Sequence, residues 1–187
     1  MIARKHFDET PGFLQWCEAE KLFDIASQAP EGAPIIEIGS AFGKSAGVLA
    51  CAAPASKVYC VDPWVWWPTV AEIGADAAYL SPPPKSARVR VEGYFDTVAA
   101  RFPNIVKLRV RSESAALPVL PHLVFIDGDH TRLGVETDIL IALKLGATVI
   151  ALHDYGCAAF PDVEAQAQIL LCGRRFERVG DLGVFYA

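Results

Sequence analysis

The chain has 187 residues, with 17 Lys and Arg against 22 Asp and Glu for a formal charge of −5, and is 52% apolar. Folding at this size buries roughly 70% of the surface an unfolded chain exposes, enough for one core without disulfide staples, so a single domain over 1–187 is expected. The basic residues are scattered, which excludes the clustered face a nucleic-acid backbone needs; no apolar run approaches the roughly 18 residues of a bilayer span, and Met1 to Glu9 is polar, so no membrane helix or secretory leader is expected and the cytoplasm is the expected compartment.

Cys17, Cys51, Cys60, Cys157 and Cys172 are odd in number, lack C-x-x-C spacing and mostly have apolar neighbours. They are expected to behave as small buried hydrophobes, not as zinc ligands or disulfides.

In chain order, Phe13 to Gln28 reads as an amphipathic helix with Phe13, Trp16, Leu22, Phe23 and Ala26 as its buried positions. A strand over Pro34 to Gly39 leads into a helix over Lys44 to Ala53, and a second strand spans Lys57 to Asp62. Residues 63–88 break the rhythm with Trp64, Trp66, Trp67, Pro68 and the run Pro82-Pro83-Pro84, as expected of an inserted cap. Its tryptophans suit core plugs and pocket walls equally, and inserted elements of this kind often mediate a homodimer. Strands follow at Ile105 to Val110, His122 to Asp127 and Ala147 to His153. The helix from Thr131 to Leu145 places Val135, Ile139 and Leu143 on one stripe and stops at Gly146. After a helix around Val163 to Leu171, Arg175 to Val179, the turn pair Gly180-Asp181 and Gly183 to Tyr186 form a closing antiparallel hairpin. Alternating strands and helices imply a parallel sheet covered on both faces, with chemistry at the carboxyl ends of the strands.

The first strand runs into Glu37-Ile38-Gly39-Ser40-Ala41-Phe42-Gly43-Lys44-Ser45, a glycine-containing turn opening a helix, where backbone N–H groups can hold a ligand. A dinucleotide fingerprint fails, because Ala41 and Lys44 stand where two of its three glycines belong. A phosphate loop is nearer: Gly39 and Gly43 enclose three residues where it needs four, and nucleotide hydrolysis stays open as an alternative, with the strand ending at Asp127 as its Mg²⁺-binding strand. Glu37 weighs the other way, since a carboxylate there repels a triphosphate and suits a ligand with an ammonium or sulfonium charge. Asp62, 19 positions beyond Gly43, can accept hydrogen bonds from ribose hydroxyls or merely cap a turn.

Glu37, Gly39, Gly43 and Asp62 together resemble the class I S-adenosylmethionine-dependent methyltransferases, whose first motif is acidic-x-Gly-x-x-x-Gly and whose second strand ends in the ribose-binding acid. Phe125-Ile126-Asp127-Gly128-Asp129-His130-Thr131, with Gly134 to Asp138 behind it and Leu152-His153-Asp154-Tyr155 further on, is similar to the macrocin O-methyltransferase and cephalosporin-hydroxylase-like family, over about Glu18 to Tyr186. The resemblance implies a Rossmann-like, doubly wound, mostly parallel α/β sheet of seven strands in the order 3-2-1-4-5-7-6, with an antiparallel C-terminal hairpin and helices on both faces. It implies a cofactor site of Glu37, Gly39, Ser40, Gly43, Lys44, Ser45, Asp62 and Trp64, with Ser112 and Glu113 where relatives contact adenine; the latter pair would equally cap a helix.

In that family the ends of the fourth and fifth strands bind Mg²⁺, which carries over onto Asp127 and Asp154. His153 departs from the acid or amide that relatives have, and imidazole suits Zn²⁺, Mn²⁺ or Fe²⁺ better, so the expected metal set is Asp127, His153 and Asp154 with the ion's identity open. The bland alternative makes Asp127 a helix cap and His153-Asp154 a polar turn. His130, with Asp127 beside it, is the candidate general base. The expected activity is O-methylation of a small-molecule hydroxyl. Rivals are a cofactor- or partner-binding domain without activity and oxidation at an iron held by His153, for which a facial triad would want a second histidine.

Overall fold

The computed structural model describes residues 4–65 and 84–187. Seven strands, β1 (Ile35–Ile38), β2 (Val58–Val61), β3 (Ile105–Leu108), β4 (Leu123–Ile126), β5 (Val149–Leu152), β6 (Arg175–Val179) and β7 (Leu182–Tyr186), form one sheet in the order β3-β2-β1-β4-β5-β7-β6. The first five run parallel, and β7 pairs antiparallel with β5 and β6, as the sequence implies.

Period-two alternation divides the sheet between two apolar layers. Ile35, Val58, Leu123, Phe125 and Ala151 pack with α2 (Trp16–Ser27), α3 (Lys44–Ala52) and α4 (Pro84–Ala99), with a short α1 (Arg4–Glu9) beside them; Ile36, Ile38, Val124, Ile126 and Ile150 pack with α5 (Arg132–Leu145) and α6 (Pro161–Leu170). Strands β1, β4 and β5 are buried on both faces, which is why they read as unbroken apolar runs.

Three readings need correction. The N-terminal helix starts at Trp16, so Phe13 falls in the preceding bend and is half exposed, while Leu14 takes the buried place. Of the cysteines only Cys60, on a central strand, is buried; Cys17 and Cys172 are exposed, because helix and loop positions beside apolar residues need not face the core. The cap gives way at Pro84 to α4, whose Val91, Phe95 and Val98 bury one stripe. Trp66, Trp67, Pro68, Pro82 and Pro83 lie outside the described residues. Among the described residues no helix is long and apolar enough to cross a membrane.

The register positions the site. Ile38 is level with Val61 and Ile126, and Ile126 with Leu152, so the next residue of each strand brings Asp62, Gly39, Asp127 and His153 into one rank across the carboxyl ends of β2, β1, β4 and β5. Backbone bonds extend the ladder to that rank: the N–H groups of Gly39, Asp127 and His153 donate to Val61, Ile38 and Ile126. Gly39 has φ +89°, and a Cβ there would lie 2.0 Å from the Asp127 carbonyl oxygen. Both the left-handed backbone and the lack of space demand glycine. Gly39→Ala is therefore expected to destabilise the fold by about 2–5 kcal/mol, read from the midpoint of urea unfolding.

Candidate active site at the carboxyl rim of the sheet

The turn after β1 is built around Asp62. Its Oδ2 accepts the Ala41 N–H at 2.9 Å and its Oδ1 the Trp64 N–H at 2.6 Å, tying the loop after β1 to the loop after β2. A carboxylate has about four acceptor sites, so these bonds leave capacity for hydroxyl donors. Burial raises its pKa above the usual range, against the pull of the backbone N–H groups. Ala41 and Trp64 both have positive φ, +40° and +46°, an unfavourable backbone for residues with a Cβ that the surrounding bonds must hold.

Glu37 lies beneath this turn and is fully buried. The Ser40 hydroxyl donates to its Oε2 at 2.5 Å, while Oε1 is buried without a hydrogen-bond partner. Burial pushes its pKa up to about 7, despite the hydroxyls of Ser40 and Ser45. An unpaired buried carboxylate oxygen next to a glycine turn fits a cationic ligand above it. Gly43, at φ +85°, caps the N-terminus of α3 and leaves no free space, with Phe95 3.1 Å from where a Cβ would sit.

The other expected cofactor residues separate. The Lys44 ammonium lies 4.1 Å from the centre of the Phe7 ring, drawn toward α1, and burial lowers its pKa; this is not the posture of a lysine clasping phosphates. Trp64 is a core plug: it is buried, its Nε1–H donates to the Ala41 carbonyl at 2.9 Å, and its ring packs on Phe95. Its part in the cradle is to shape the turn. Beyond β3, Ser112 donates to Asp138 Oδ1 at 2.5 Å, and Glu113 is exposed. Asp138, pushed up to about 6 by burial, is a buried acid on α5 that sequence reasoning passed over.

On the other side of Gly39 stands an Asp/His cluster. Thr131, not Asp127, caps α5: its hydroxyl accepts the Gly134 N–H, and Asp129 accepts the Thr131 N–H. Asp127 is thereby free to face the histidines. His130 Nε2 lies 3.0 Å from Asp154 Oδ2 and 3.5 Å from Asp127 Oδ1, and His153 Nδ1 lies 3.3 Å from each of the same oxygens. Both nitrogens are buried, yet neither has an in-line hydrogen-bond partner. His130 stacks on Phe160 with centroids 4.3 Å apart, and Asp154 adopts φ +56°.

Burial alone would drive these four groups toward neutrality, but their mutual charges win. Asp127 and Asp154 are held below the usual carboxylate range by the two imidazoles. His153 is held far above its ordinary range by Asp127 and Asp154, and His130 is raised to about 9. The oxygens of Asp127 and Asp154 and Nδ1 of His153 all lie within 4.8 Å of one another, a donor set of the size a metal ion needs, and the orphaned Nδ1 fits one.

Glu18 was missed. It is completely buried on α2, and its Oε2 reaches His153 Nε2 at 3.3 Å. The local signal was an acid four residues before Leu22 on the apolar stripe of an amphipathic helix, and three after Gln15, whose N–H it caps at 2.8 Å.

A family profile described as a methyltransferase domain matches residues 36–155. Among solved structures, the O-methyltransferase TomG from Streptomyces achromogenes in complex with SAM is 17% identical over 99% of this chain and 86% of its own, with a TM-score of 0.60. The precorrin-6y C5,15-methyltransferase from Geobacter metallireducens GS-15 is 11% identical over 96% of each chain, at 0.64. The N-methyltransferase NodS from Bradyrhizobium japonicum WM9, bound to S-adenosyl-L-homocysteine, is 16% identical over 97% and 90%, at 0.58. At these identities the likeness is one of fold. No curated protein sequence matches the chain.

Glu37 carries a prediction of its own. A buried acid whose folded pKa is about 7 against an ordinary 4.5 binds more protons folded than unfolded, so its contribution to stability falls as pH rises from about 4.5 to about 7. Glu37→Gln should remove that slope and be more stable than the parent at pH 8 by about 1–3 kcal/mol, with little difference at pH 4, as read from urea unfolding at the two pH values.

Proposed function

We propose, because this chain belongs to the methyltransferase-domain family, that it transfers the methyl group of S-adenosylmethionine to a hydroxyl of a small molecule. One observation carries the reading: the cradle glycine, Gly39, abuts Asp127, so a ligand over the turn lies beside the Asp/His cluster. Donor and proton-accepting groups thus share a wall.

Glu37 beneath the turn would face the cofactor's positive charge, and Asp62 would accept from its ribose hydroxyls. N–H groups of the first turn of α3 face the same space. Trp64 shapes the turn through its bond to the Ala41 carbonyl. The acceptor oxygen approaches from the Asp127 and His130 side, and methyl transfer is one in-line displacement at the sulfonium carbon: the oxygen–carbon bond forms as the carbon–sulfur bond breaks.

The hydroxyl proton goes to His130, which must be neutral to accept it. Asp127 and Asp154 favour the imidazolium, and positive charge brought beside them would offset theirs and favour the neutral base. Asp127, His153 and Asp154 would hold a divalent ion, which when bound stabilises an acceptor oxygen as its proton leaves. Positioning supplies most of the rate.

Calorimetric titration should show one S-adenosylmethionine per chain, with the melting temperature raised by it and by S-adenosylhomocysteine but not by ATP. The converse result would return the turn to a phosphate-binding role. Asp62→Ala should weaken cofactor binding about 10- to 100-fold. With an acceptor drawn from a panel of hydroxyl compounds, His130→Ala should lower kcat by about 10²–10⁴ while cofactor affinity stays within about twofold of the parent. Cofactor binding without transfer to any hydroxyl acceptor would make the chain a binding module.

A further inference from the structure

Val149, Ala151 and His153 alternate onto the sheet face that α2 covers, and this brings Glu18 of α2 against the outer edge of the His153 ring. Three partners hold the Glu18 carboxylate. Oε2 accepts the Gln15 N–H at 2.8 Å and faces His153 Nε2 at 3.3 Å, and Oε1 accepts the Asp181 N–H at 2.8 Å. Behind it the hairpin turn leaves no space, since a Cβ at Gly180 would lie 2.7 Å from Oε1. Helix and hairpin together fix the carboxylate, and the carboxylate fixes the ring.

With Nε2 directed at Glu18, Nδ1 is the ring nitrogen left to face the rim. It is buried, without a hydrogen-bond partner, 3.3 Å from both Asp127 Oδ1 and Asp154 Oδ2. Two carboxylate oxygens and a ring nitrogen this close need a positive charge among them; a proton on Nδ1 supplies it in the ion-free ring, and a metal ion that displaces that proton would take the same place. Donors about 2.0–2.1 Å from a shared tetrahedral ion are about 3.3 Å apart, as Nδ1 is from each of the two oxygens. An outer carboxylate on the far N–H is the arrangement that orients metal-bound histidines and raises their basicity.

We infer that His153 is a metal ligand through Nδ1, that Glu18 is the residue positioning it, and that the Asp127–His153–Asp154 site takes Zn²⁺ or a first-row transition-metal ion in preference to Mg²⁺. Mg²⁺ wants an octahedron of oxygens, and the imidazole nitrogen moves selectivity toward borderline ions. The inference deepens the methyltransferase reading, on which the ion's role rests; whether the ion binds is read separately.

The test is titration of chelator-treated protein with Co²⁺, followed by its visible absorption, and with Zn²⁺, Mn²⁺ and Mg²⁺ by calorimetry. One Co²⁺ or Zn²⁺ per chain is expected, with Mg²⁺ at least about 100-fold weaker. His153→Asp should reverse the order, weakening Co²⁺ at least about tenfold and strengthening Mg²⁺. Glu18→Gln, which keeps the shape and loses the charge, should lower Co²⁺ affinity about 10- to 100-fold and shift its absorption while leaving S-adenosylmethionine affinity unchanged. If that variant does not fold, the parent and His153→Asp titrations decide. Equal affinities for Mg²⁺ and Co²⁺, or a Co²⁺ spectrum indifferent to both substitutions, would overturn the inference. A normal Co²⁺ spectrum without cofactor binding would sink the methyltransferase reading alone.

Discussion

Strands β1 and β4 lie in parallel register, so that Gly39 and Asp127 are neighbours at the rim with no room for a side chain between them. Parallel strands must each return through a covering helix, and their carboxyl ends therefore open on the same side of the sheet. At the point where the chain leaves β1 for one face and β4 for the other, a cleft is unavoidable. One lip is the turn held by Asp62, and the other is the Asp/His cluster. Each lip supplies a different part of a group-transfer site.

Charge is concentrated at this rim at a cost to stability. Glu18 and Glu37 are fully buried, and His153 is nearly so. Burying ionised groups is offset only where partners are close and well aligned, and here the pairing is incomplete: one oxygen of Glu37 and one nitrogen each of His130 and His153 lack hydrogen-bond partners. Among the described residues with a Cβ, left-handed backbone occurs at Ala41, Trp64 and Asp154, which follow the carboxyl ends of β1, β2 and β5, and at Leu120, before β4. Orphaned polar atoms and backbone strain in one place are what a binding site tolerates and a purely structural core would relieve.

Helix α2 joins the site to two distant parts of the chain. Glu18 closes its helix's N-terminus, ties the hairpin turn through Asp181, and reaches His153. Each bond is ordinary, but together they make the orientation of one imidazole depend on the packing of a helix and a hairpin against the same sheet face.

Much of this was legible in the residues. The parallel strands follow from apolar runs too continuous for a half-solvated sheet, and the turn at Gly39 to Gly43 from glycines at positions of positive φ. The side on which the chemistry lies follows from the topology those strands require. Helix α4 was not read: the prolines before it drew its start into the inserted cap and hid the buried stripe at Val91, Phe95 and Val98. What spacing along the chain could not decide was which groups meet. That Trp64 turns into the core, that Lys44 leans on Phe7, that Thr131 relieves Asp127 of capping, and that Glu18 backs His153 from 135 positions away all depend on how helices settle on the sheet. Local periodicity determines which face a residue occupies, because rise and twist per residue are properties of the backbone. The partner it finds there is chosen by packing between elements remote in sequence, and that choice belongs to the tertiary structure alone.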